Sequence, residues 1–311
     1  MTDPQSDNPA ETPAVQTRAG FVAIVGPTNA GKSTLTNRLV GTKVSIVTQK
    51  VQTTRTRVTG ILNRGACQTI FVDTPGVFRP RRRLDRAMVA AAWAGAADAD
   101  LVVMVVDAER GIDEAVEAVV KGLKEGGRRA LLALNKIDLV KRETLLGLAA
   151  EMNERFTFEA TFMISAQGGS GCDDLLAAIE ERLPFGPWLF PEDQLSDLPE
   201  RMLAAEVTRE KIFLRLHQEL PYSIHVETES WKDQKDGSVR IEQVIYVERD
   251  GQKAIVLGKG GATAKLIGSM AREEMEQIFD RRVHLFLFVK VRANWAEDRE
   301  RYRAMGLDWQ E

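Results

Sequence analysis

The chain has 311 residues, more than the roughly 100 to 200 residues usual for one domain, so its length predicts two domains. Its residues are 44% hydrophobic and 28% charged, enough to bury a core, and no apolar run reaches the roughly 18 residues of a membrane span. The net charge of −3 excludes a uniformly basic surface, and the 2 cysteines exclude a disulfide framework, which favours a reducing, cytoplasmic location.

The N-terminal tail, residues 1–19, is rich in Pro, Thr, Ser, Asp and Asn. It lacks both the basic start and the apolar stretch of a signal peptide, so we expect it to be disordered. Regular structure is predicted only after this tail.

A first domain, predicted over residues 20–185, repeats a strand, a turn and a helix several times. Most of its candidate strands are short apolar or β-branched runs, as a sheet buried on both faces requires. This order is typical of an α/β fold with a mostly parallel sheet and helices on both faces. The candidate strands are Phe21–Val25, Thr69–Val72, Leu101–Val106, Ala130–Leu134 and Thr161–Ile164, with Thr59–Leu62 as an antiparallel edge strand.

A glycine-rich loop follows the first candidate strand and precedes a helical run. Its residues 26–33 read GPTNAGKS, which matches the phosphate-binding pattern G-x-x-x-x-G-K-[ST]. Backbone N–H groups in such a loop point inward, and the helix N-terminus adds its positive end, so phosphates are the expected ligand. Lys32 should reach the β- and γ-phosphates, and the Ser33 hydroxyl should bind Mg²⁺. The predicted phosphate-binding residues are Gly26, Asn29, Ala30, Gly31, Lys32, Ser33 and Thr34.

Specificity for guanine is predicted from residues 135–138, NKID, which follow the candidate strand Ala130–Leu134. Asp138 can accept hydrogen bonds from both N1–H and the exocyclic amine of guanine, whereas adenine offers neither. Adenine would leave the carboxylate unpaired, and sites of this kind discriminate by factors of about 10⁴–10⁵. Ser165 and Ala166 follow the next strand, where the Ala166 N–H can bind guanine O6. The predicted base-binding residues are Asn135, Lys136, Asp138, Ser165 and Ala166.

Two further segments are expected to hold the metal and to sense the γ-phosphate. Asp73, at the start of the sequence DTPG, would hold Mg²⁺ through water, and Gly76 would offer a backbone N–H to the γ-phosphate. In the stretch QTTRT at residues 52–56, a threonine can close over Mg²⁺ while the γ-phosphate is present and release it after hydrolysis. Thr54 is the expected ligand, with Thr53 as the alternative. The predicted metal ligands are Ser33, Thr54 and Asp73, and the predicted catalytic residues are Lys32, Asn29 and Thr54.

Prolines break both periodicities after residue 185, which predicts a linker over residues 186–199. The second domain, residues 200–311, has a different order that is typical of an α+β module. The predicted elements are a long helix at about Pro199–Gln218, the strands Ser223–Trp231 and Val239–Glu248, a glycine turn, a second long helix, the strand Val283–Val291 and a C-terminal helix.

A second glycine motif, GKGG at residues 258–261, follows the run Ile255–Leu257, which we interpret as a strand end. A G-x-x-G turn at the start of a helix can clamp the backbone of single-stranded RNA, and Lys259 would supply a cation at the phosphates. From residue 249 to 292 there are nine basic and five acidic residues, a net charge of +4, which suits a nucleic-acid backbone. The predicted RNA-binding residues are Gly258, Lys259, Gly260, Gly261 and Lys265.

Together these motifs resemble the bacterial Era GTPases from about residue 21 to residue 309. The likeness extends beyond the nucleotide motifs to residues 33–37 (STLTN), 190–193 (FPED), 219–223 (ELPYS) and 247–253 (VERDGQK). The resemblance implies a G domain followed by a type II KH domain, with GTP or GDP and Mg²⁺ as ligands and GTP hydrolysis as the activity. It further implies binding near the 3′ end of 16S ribosomal RNA and assistance in maturation of the small ribosomal subunit.

The same resemblance carries two expectations about location and assembly. It implies peripheral contact with the inner face of the cell membrane, although the sequence contains no amphipathic basic helix that predicts such contact. We expect a cytoplasmic monomer.

Hydrolysis requires a group that positions the attacking water. In many GTPases a glutamine follows D-x-x-G and does so, whereas here the residue is Val77, which has no side-chain hydrogen-bonding group. Era is similar to GTPases in which an asparagine of the phosphate loop accompanies activation by potassium. Asn29 is therefore a candidate to help coordinate K⁺, and the alternative is that it only braces the loop.

Two other classes of function stay open. A nucleotide-dependent RNA-modifying enzyme would need a second catalytic centre, and the sequence has no Cys/His cluster to supply one. An RNA-binding protein with a relic nucleotide domain would be expected to have lost motif residues, but Lys32, Ser33, Asp73, Asn135 and Asp138 are all present. Both interpretations are therefore less favoured than a regulatory GTPase.

Overall fold

The computed structural model describes residues 16–48, 50, 53–80, 82–216, 220–293, 295 and 298–309. The predicted tail as far as residue 15, Gln52 of the threonine stretch and residues 217–219 lie outside these ranges. The described chain contains two modules, each built on its own sheet.

The first module alternates strands and helices along the chain. In chain order its elements are β1 (Arg18–Val25), α1 (Lys32–Val40), β2 (Val58–Arg64), β3 (Cys67–Asp73), α2 (Arg83–Asp98), β4 (Leu101–Asp107), α3 (Glu114–Glu125), β5 (Ala130–Asn135), α4 (Arg142–Arg155), β6 (Thr161–Met163) and α5 (Cys172–Arg182). The six strands form one sheet in the order β2-β3-β1-β4-β5-β6. All neighbours are parallel except β2, which pairs with β3 in the antiparallel sense at the edge, as predicted.

Helices cover both faces of this sheet because its strands are apolar on both sides. Alternate residues of β1 belong to two different cores. Val22 and Ile24 pack with α1 and α5, whereas Ala23 and Val25 pack with α2, α3 and α4. The strand β4 is buried along its whole length, which explains its unbroken apolar sequence. The predicted α/β fold class is confirmed.

The second module has its own core on one face of a smaller sheet. Its elements are α6 (Glu200–Arg215), β7 (His225–Asp233), β8 (Val239–Val247), α7 (Asp250–Leu257), α8 (Ala262–Phe279), β9 (Val283–Val291) and α9 (Arg299–Ala304). The strand order is β7-β8-β9, with an antiparallel first pair and a parallel second pair. Ile212 of α6, Ile245 of β8 and Ile267 of α8 share one apolar cluster. This mixed sheet under helices is the α+β module that the sequence predicted.

One predicted element is wrong. The run Ile255–Leu257, interpreted as a strand end, is the last turn of the helix α7. Gln252 and Val256, four residues apart, are buried, while Ile255 between them is 56% exposed. This spacing is helical, and an apolar run of three residues is too short to distinguish it from a strand. The glycine motif therefore joins two helices.

The first strand of the sheet begins earlier than the predicted strand Phe21–Val25. The strand β1 begins at Arg18, because Arg18 and Ala19 pair with Cys67 and Gln68 of β3. The predicted linker, residues 186–199, contains no regular helix or strand and lies along the sheet, where the Ile61 N–H donates to the Leu195 carbonyl at 2.8 Å.

Candidate functional site

The predicted nucleotide residues lie on loops that follow β1, β3, β5 and β6. These strands are parallel members of one sheet, with β4 between β1 and β5, so their carboxyl ends meet at one edge, the usual ligand edge of open α/β folds. Hydrogen bonds join the loops directly. The Val77 N–H, after β3, donates to the Gly26 carbonyl at 3.0 Å, and the Asn135 Nδ2 donates to the Ala30 carbonyl at 2.8 Å.

The glycine-rich loop wraps in front of α1, and close packing explains its second motif glycine. Gly31 has a φ of 96°, and a Cβ added there would lie 2.2 Å from Asn135 Nδ2, so only glycine fits. The Lys32 ammonium donates to the Pro27 carbonyl at 2.8 Å and to the Gly26 carbonyl at 3.2 Å. Burial lowers the pKa of Lys32 to about 8, although Asp73 opposes this shift. The cation is thus held inside the loop where phosphates are expected.

Three oxygen-bearing side chains converge beside the start of α1. The Ser33 hydroxyl donates to Asp73 Oδ2 at 2.6 Å and lies 2.9 Å from Thr54 Oγ1. Thr54 Oγ1 also lies 3.4 Å from Asp73 Oδ2. These residues are the three predicted metal ligands, and the structure brings all of them together although they come from distant parts of the chain.

The chemistry of this group fits Mg²⁺, which prefers oxygen ligands and retains waters. Asp73 is fully buried, and its second oxygen, Oδ1, accepts no hydrogen bond of standard geometry among the described residues, although the Ser45 hydroxyl is close enough to help lower the pKa of Asp73. Burial raises the pKa of Asp73, and hydrogen bonds from Ser33 and the charge of Lys32 oppose this rise. A divalent cation would stabilise the ionised carboxylate and use the unpaired oxygen, either directly or through water.

The two candidate threonines differ in what their side chains contact. Thr54 faces Ser33 and Asp73, whereas the Thr53 hydroxyl donates to the Lys50 carbonyl at 2.8 Å and lies 2.7 Å from Thr48 Oγ1. Thr53 is therefore occupied with its own segment, and the geometry supports Thr54 as the metal ligand.

The base-binding loops are held together by Asn135. Its Nδ2 donates to the Ala30 carbonyl, and its Oδ1 accepts the Ala166 N–H at 2.9 Å. The Ala166 N–H, predicted to bind guanine O6, thus already has an acceptor, so that contact would have to be shared with Asn135. Ser165 orders the same loop, because its Oγ accepts the Gly168 N–H at 3.0 Å.

Lys136 and Asp138 frame the outer end of this region. Lys136 has a φ of 65°, and its Nζ lies 2.6 Å from Asp107 Oδ2. Asp138 is exposed, and within the described ranges its carboxylate has no hydrogen bond or ion pair. It is therefore available to a ligand. A cavity of about 440 Å³ is lined by the predicted residues Thr34 and Ala166, but not by Lys136 or Asp138.

Two residues that the sequence analysis missed hold the loops that are predicted to bind the base. Asp107, which pairs with Lys136, ends the strand β4 at the same sheet edge, and this position could have identified it. Arg38 of α1 donates through Nε to the Ala166 carbonyl at 3.1 Å and also to the Gln167 carbonyl. Nothing in the sequence near Arg38 indicates this contact, which spans 128 positions.

The predicted RNA-binding residues lie together in the second module, on the turn between α7 and α8 and the first turns of α8. Gly258, Gly260 and Gly261 all have positive φ, and Lys259, Gly260 and Lys265 are exposed. The turn therefore presents backbone and two cations to solvent. Helix α8 continues from it into the core, where Ile267 is fully buried.

Comparison with known proteins matches both modules. Residues 21–136 match the family described as 50S ribosome-binding GTPase, and residues 219–296 match the KH domain. GTPase Era of Rhizobium meliloti is 63% identical over 309 residues, covering 99% of this chain and 98% of the relative. GTPase Era of Dinoroseobacter shibae is 60% identical and covers 96% and 98%.

Two solved structures are similar over nearly the whole chain. One is an Aquifex aeolicus Era variant bound to GDP and AlF4⁻, and the other is an Era in complex with MgGDPNP and nucleotides 1506–1542 of 16S ribosomal RNA. Each is 38% identical with a TM-score of 0.89, covering 93% of this chain and 99% of the neighbour. Within the described ranges, no helix is long and apolar enough to cross a membrane.

Proposed function

The chain belongs to the Era family of GTPases, as a relative 63% identical over 99% of the chain shows, and we propose that it is a switch protein that couples GTP to RNA binding. It binds GTP with Mg²⁺, hydrolyses GTP to GDP and phosphate, and binds the 3′ region of 16S ribosomal RNA. Its role is to assist maturation of the small ribosomal subunit.

The main observation that supports binding of GTP with Mg²⁺ is the convergence of Ser33, Asp73 and Thr54 beside the phosphate loop. An unpaired carboxylate oxygen beside two hydroxyls is a poor arrangement for stability but a suitable one for a cation. Mg²⁺ bound there would neutralise charge on the β- and γ-phosphates. Lys32 and the loop N–H groups would hold those phosphates, and Gly76 would offer its N–H to the γ-phosphate.

The remaining site residues have binding and sensing roles in this proposal. Asp138 reads the guanine, while Asn135 and Lys136 hold the loop that presents it. Thr54 lies on the segment that would release when the γ-phosphate leaves, which makes it the switch residue. In the second module, the Gly258–Gly261 turn would clamp single-stranded RNA, with Lys259 and Lys265 beside its phosphates.

The RNA half is supported by the Era structure that contains nucleotides 1506–1542 of 16S ribosomal RNA. The same family resemblance supports a cytoplasmic monomer with peripheral contact at the inner membrane face.

The proposal is tested by recovering RNA from cell extract on immobilised protein loaded with a GTP analogue or with GDP, and sequencing what is retained. We expect enrichment of the 16S 3′ end with the GTP analogue and little with GDP. Equal recovery with both nucleotides would contradict the coupling. Recovery of no ribosomal RNA in either state would contradict the RNA assignment.

We infer that K⁺ is a further cofactor, because the residue after D-x-x-G has no side-chain group that could position the attacking water. The Val77 side chain is apolar and 4% exposed, and its N–H already donates to the Gly26 carbonyl, so neither group can orient the attacking water. A monovalent cation beside the phosphates could offset developing charge instead, as an arginine finger does elsewhere. Asn29, on the phosphate loop, is the residue proposed to help hold K⁺.

Turnover should be about tenfold faster in potassium than in sodium, a barrier difference of about 1.4 kcal/mol. Asn29→Ala should abolish this difference while GDP affinity is largely retained. Asn29 has a φ of 62°, where alanine is strained. Asn29→Gly also removes the amide but without that strain, so it separates loss of the amide from backbone strain. Equal rates of the unmodified protein in the two salts would remove the cation from the mechanism.

A further inference from the structure

The structure assigns to Arg209, on α6 of the second module, the role of a positioning residue for GTP hydrolysis: it holds the segment at Thr53 so that Thr54 stays at the metal site. This inference rests on the proposed GTPase function. Neither the sequence motifs nor the comparisons point to Arg209.

Contacts within the second module hold the Arg209 side chain in place. It is 1% exposed, its Nε donates to Glu206 Oε1 at 2.8 Å, and its guanidinium carbon lies 5.3 Å from the ring centroid of Phe213. The Nη2 group then donates to the Thr53 backbone carbonyl. A guanidinium braced by a carboxylate and a ring is a rigid donor. The Thr53 carbonyl is therefore held by a group with little freedom to move.

A buried arginine such as Arg209 stabilises a domain contact only weakly, because burying its charge is energetically unfavourable. Its other terminal nitrogen, Nη1, is buried and has no hydrogen-bond partner among the described residues. Buried charged groups with unsatisfied donors are often less stabilising than an apolar side chain of similar size. The arginine thus contributes something other than packing, and its Nη2 group donates a hydrogen bond to the Thr53 carbonyl of the first module.

The other side of Thr54 is held in the same manner. Arg55, which is 5% exposed, donates from Nη1 to the Ile224 carbonyl at 2.9 Å and from Nη2 to the Tyr222 carbonyl at 3.2 Å. Thr53 and Arg55 are therefore both bonded to the second module, and Thr54 between them points its hydroxyl at Ser33 and Asp73. The hydrogen bonds at Thr53 and Arg55 therefore hold the backbone on both sides of Thr54.

The same helix also holds the beginning of the segment. Glu210, next to Arg209, accepts the Val47 N–H at 2.8 Å and pairs with Lys43 Nζ at 2.7 Å. Lys43, Val47 and Thr53 are thus each bonded to a side chain of α6. Of these contacts, the one from Arg209 is the nearest in sequence to Thr54 that originates on α6.

Small displacements of a catalytic group are sufficient to reduce the rate, since about 1 Å can cost on the order of 10²-fold. Arg209→Met keeps most of the buried volume but removes the donor. We expect its kcat for GTP hydrolysis to fall about tenfold and the Mg²⁺ concentration for half-maximal rate to rise. Its affinity for GDP should be unchanged, because Thr54 responds to the γ-phosphate. Arg209→Lys, which can still donate, should restore part of the rate.

A double-variant comparison separates positioning through Thr54 from a general structural role. Thr54→Ala should lower kcat at least as much as Arg209→Met, and the combined variant should be no slower than Thr54→Ala alone. The matched control is Arg201→Met, which removes another α6 arginine that bonds a carbonyl, that of Thr228, within its own module. Its kcat and Mg²⁺ dependence should match those of the unmodified protein.

Wild-type kcat and Mg²⁺ dependence in Arg209→Met would overturn the inference, as would losses that multiply in the combined variant. If Arg209→Met loses GDP binding through misfolding, the same cycle with Arg209→Lys and Thr54→Ala decides the question by the same criterion. Absence of GTP hydrolysis by the unmodified protein would instead contradict the proposed function, so the two failures are distinguishable.

Discussion

Replacing Asp138 by asparagine is expected to lower the affinity for GTP by about 10⁴-fold and to create affinity for xanthosine triphosphate. The carboxylate of Asp138 accepts from two guanine donors in the proposed complex, and an amide can accept only one of them. Xanthine has an oxygen where guanine has the exocyclic amine, so the asparagine NH₂ group gains an acceptor there. The substitution changes the hydrogen-bonding pattern without changing the volume.

The structure predicts that this change is confined to binding. Asp138 is exposed, and within the described part of the chain it has no hydrogen bond or ion pair to lose. Thermal unfolding without nucleotide should therefore match that of the unmodified protein, and equilibrium binding of fluorescent GTP and XTP analogues gives the two affinities. Unchanged, tight GTP binding by the variant would remove Asp138 from the base site.

The second large effect is expected on RNA binding from a carboxylate in the glycine turn. Gly260→Asp should weaken binding of a 16S 3′-end RNA by about 10- to 100-fold, because a negative charge would lie where the backbone phosphates are proposed to pass. Affinity for GTP should not change, since the turn lies in the other module. The measurement is RNA affinity at fixed, moderate salt, with the GTP analogue bound.

The choice of Gly260 follows from the space around each glycine. A Cβ added at Gly258 would lie 2.2 Å from Thr263 Oγ1, so a substitution there would disturb the start of α8 as well as the charge. At Gly260 there is nothing within 4 Å, and its φ of 60° is one that Asp and Asn tolerate better than most residues.

Gly260→Asn is therefore the matched control, with the same shape and backbone demand but no charge. It should bind RNA close to the unmodified affinity. If Asp and Asn at this position weaken binding equally, the effect comes from the backbone and not from the phosphates. If neither weakens it, the RNA clamp lies elsewhere.

The sequence by itself determined the nucleotide site to a large extent. The motifs GPTNAGKS, DTPG and NKID each follow a buried strand, and parallel neighbouring strands bring such loops to one edge. Part of their internal geometry is local, such as the φ of 96° that favours glycine at position 31. The fold class could be predicted for the same reason, because strand and helix periodicity are local properties.

The structure alone decided features that depend on residues far apart in the chain. Residues 250–257 form the helix α7, in which Gln252 and Val256 are both buried. The three apolar residues Ile255–Leu257 alone cannot distinguish this helix from a strand. The sequence favoured Thr54 and kept Thr53 as an alternative, and the physical support for Thr54 comes from where Ser33 and Asp73 lie in space. Packing and hydrogen bonding across the two modules are properties of the assembled fold, and no local pattern encodes them.

The contact between α6 and the segment around Thr54 is the clearest case. Arg209 and Thr53 are 156 positions apart, and an arginine within a helical sequence is expected to lie on its solvated face. In the assembled fold that side chain is 1% exposed and donates to the Thr53 carbonyl of the other module. The sequence supplied the chemical groups of the site, and the tertiary structure decided which distant groups hold them in place.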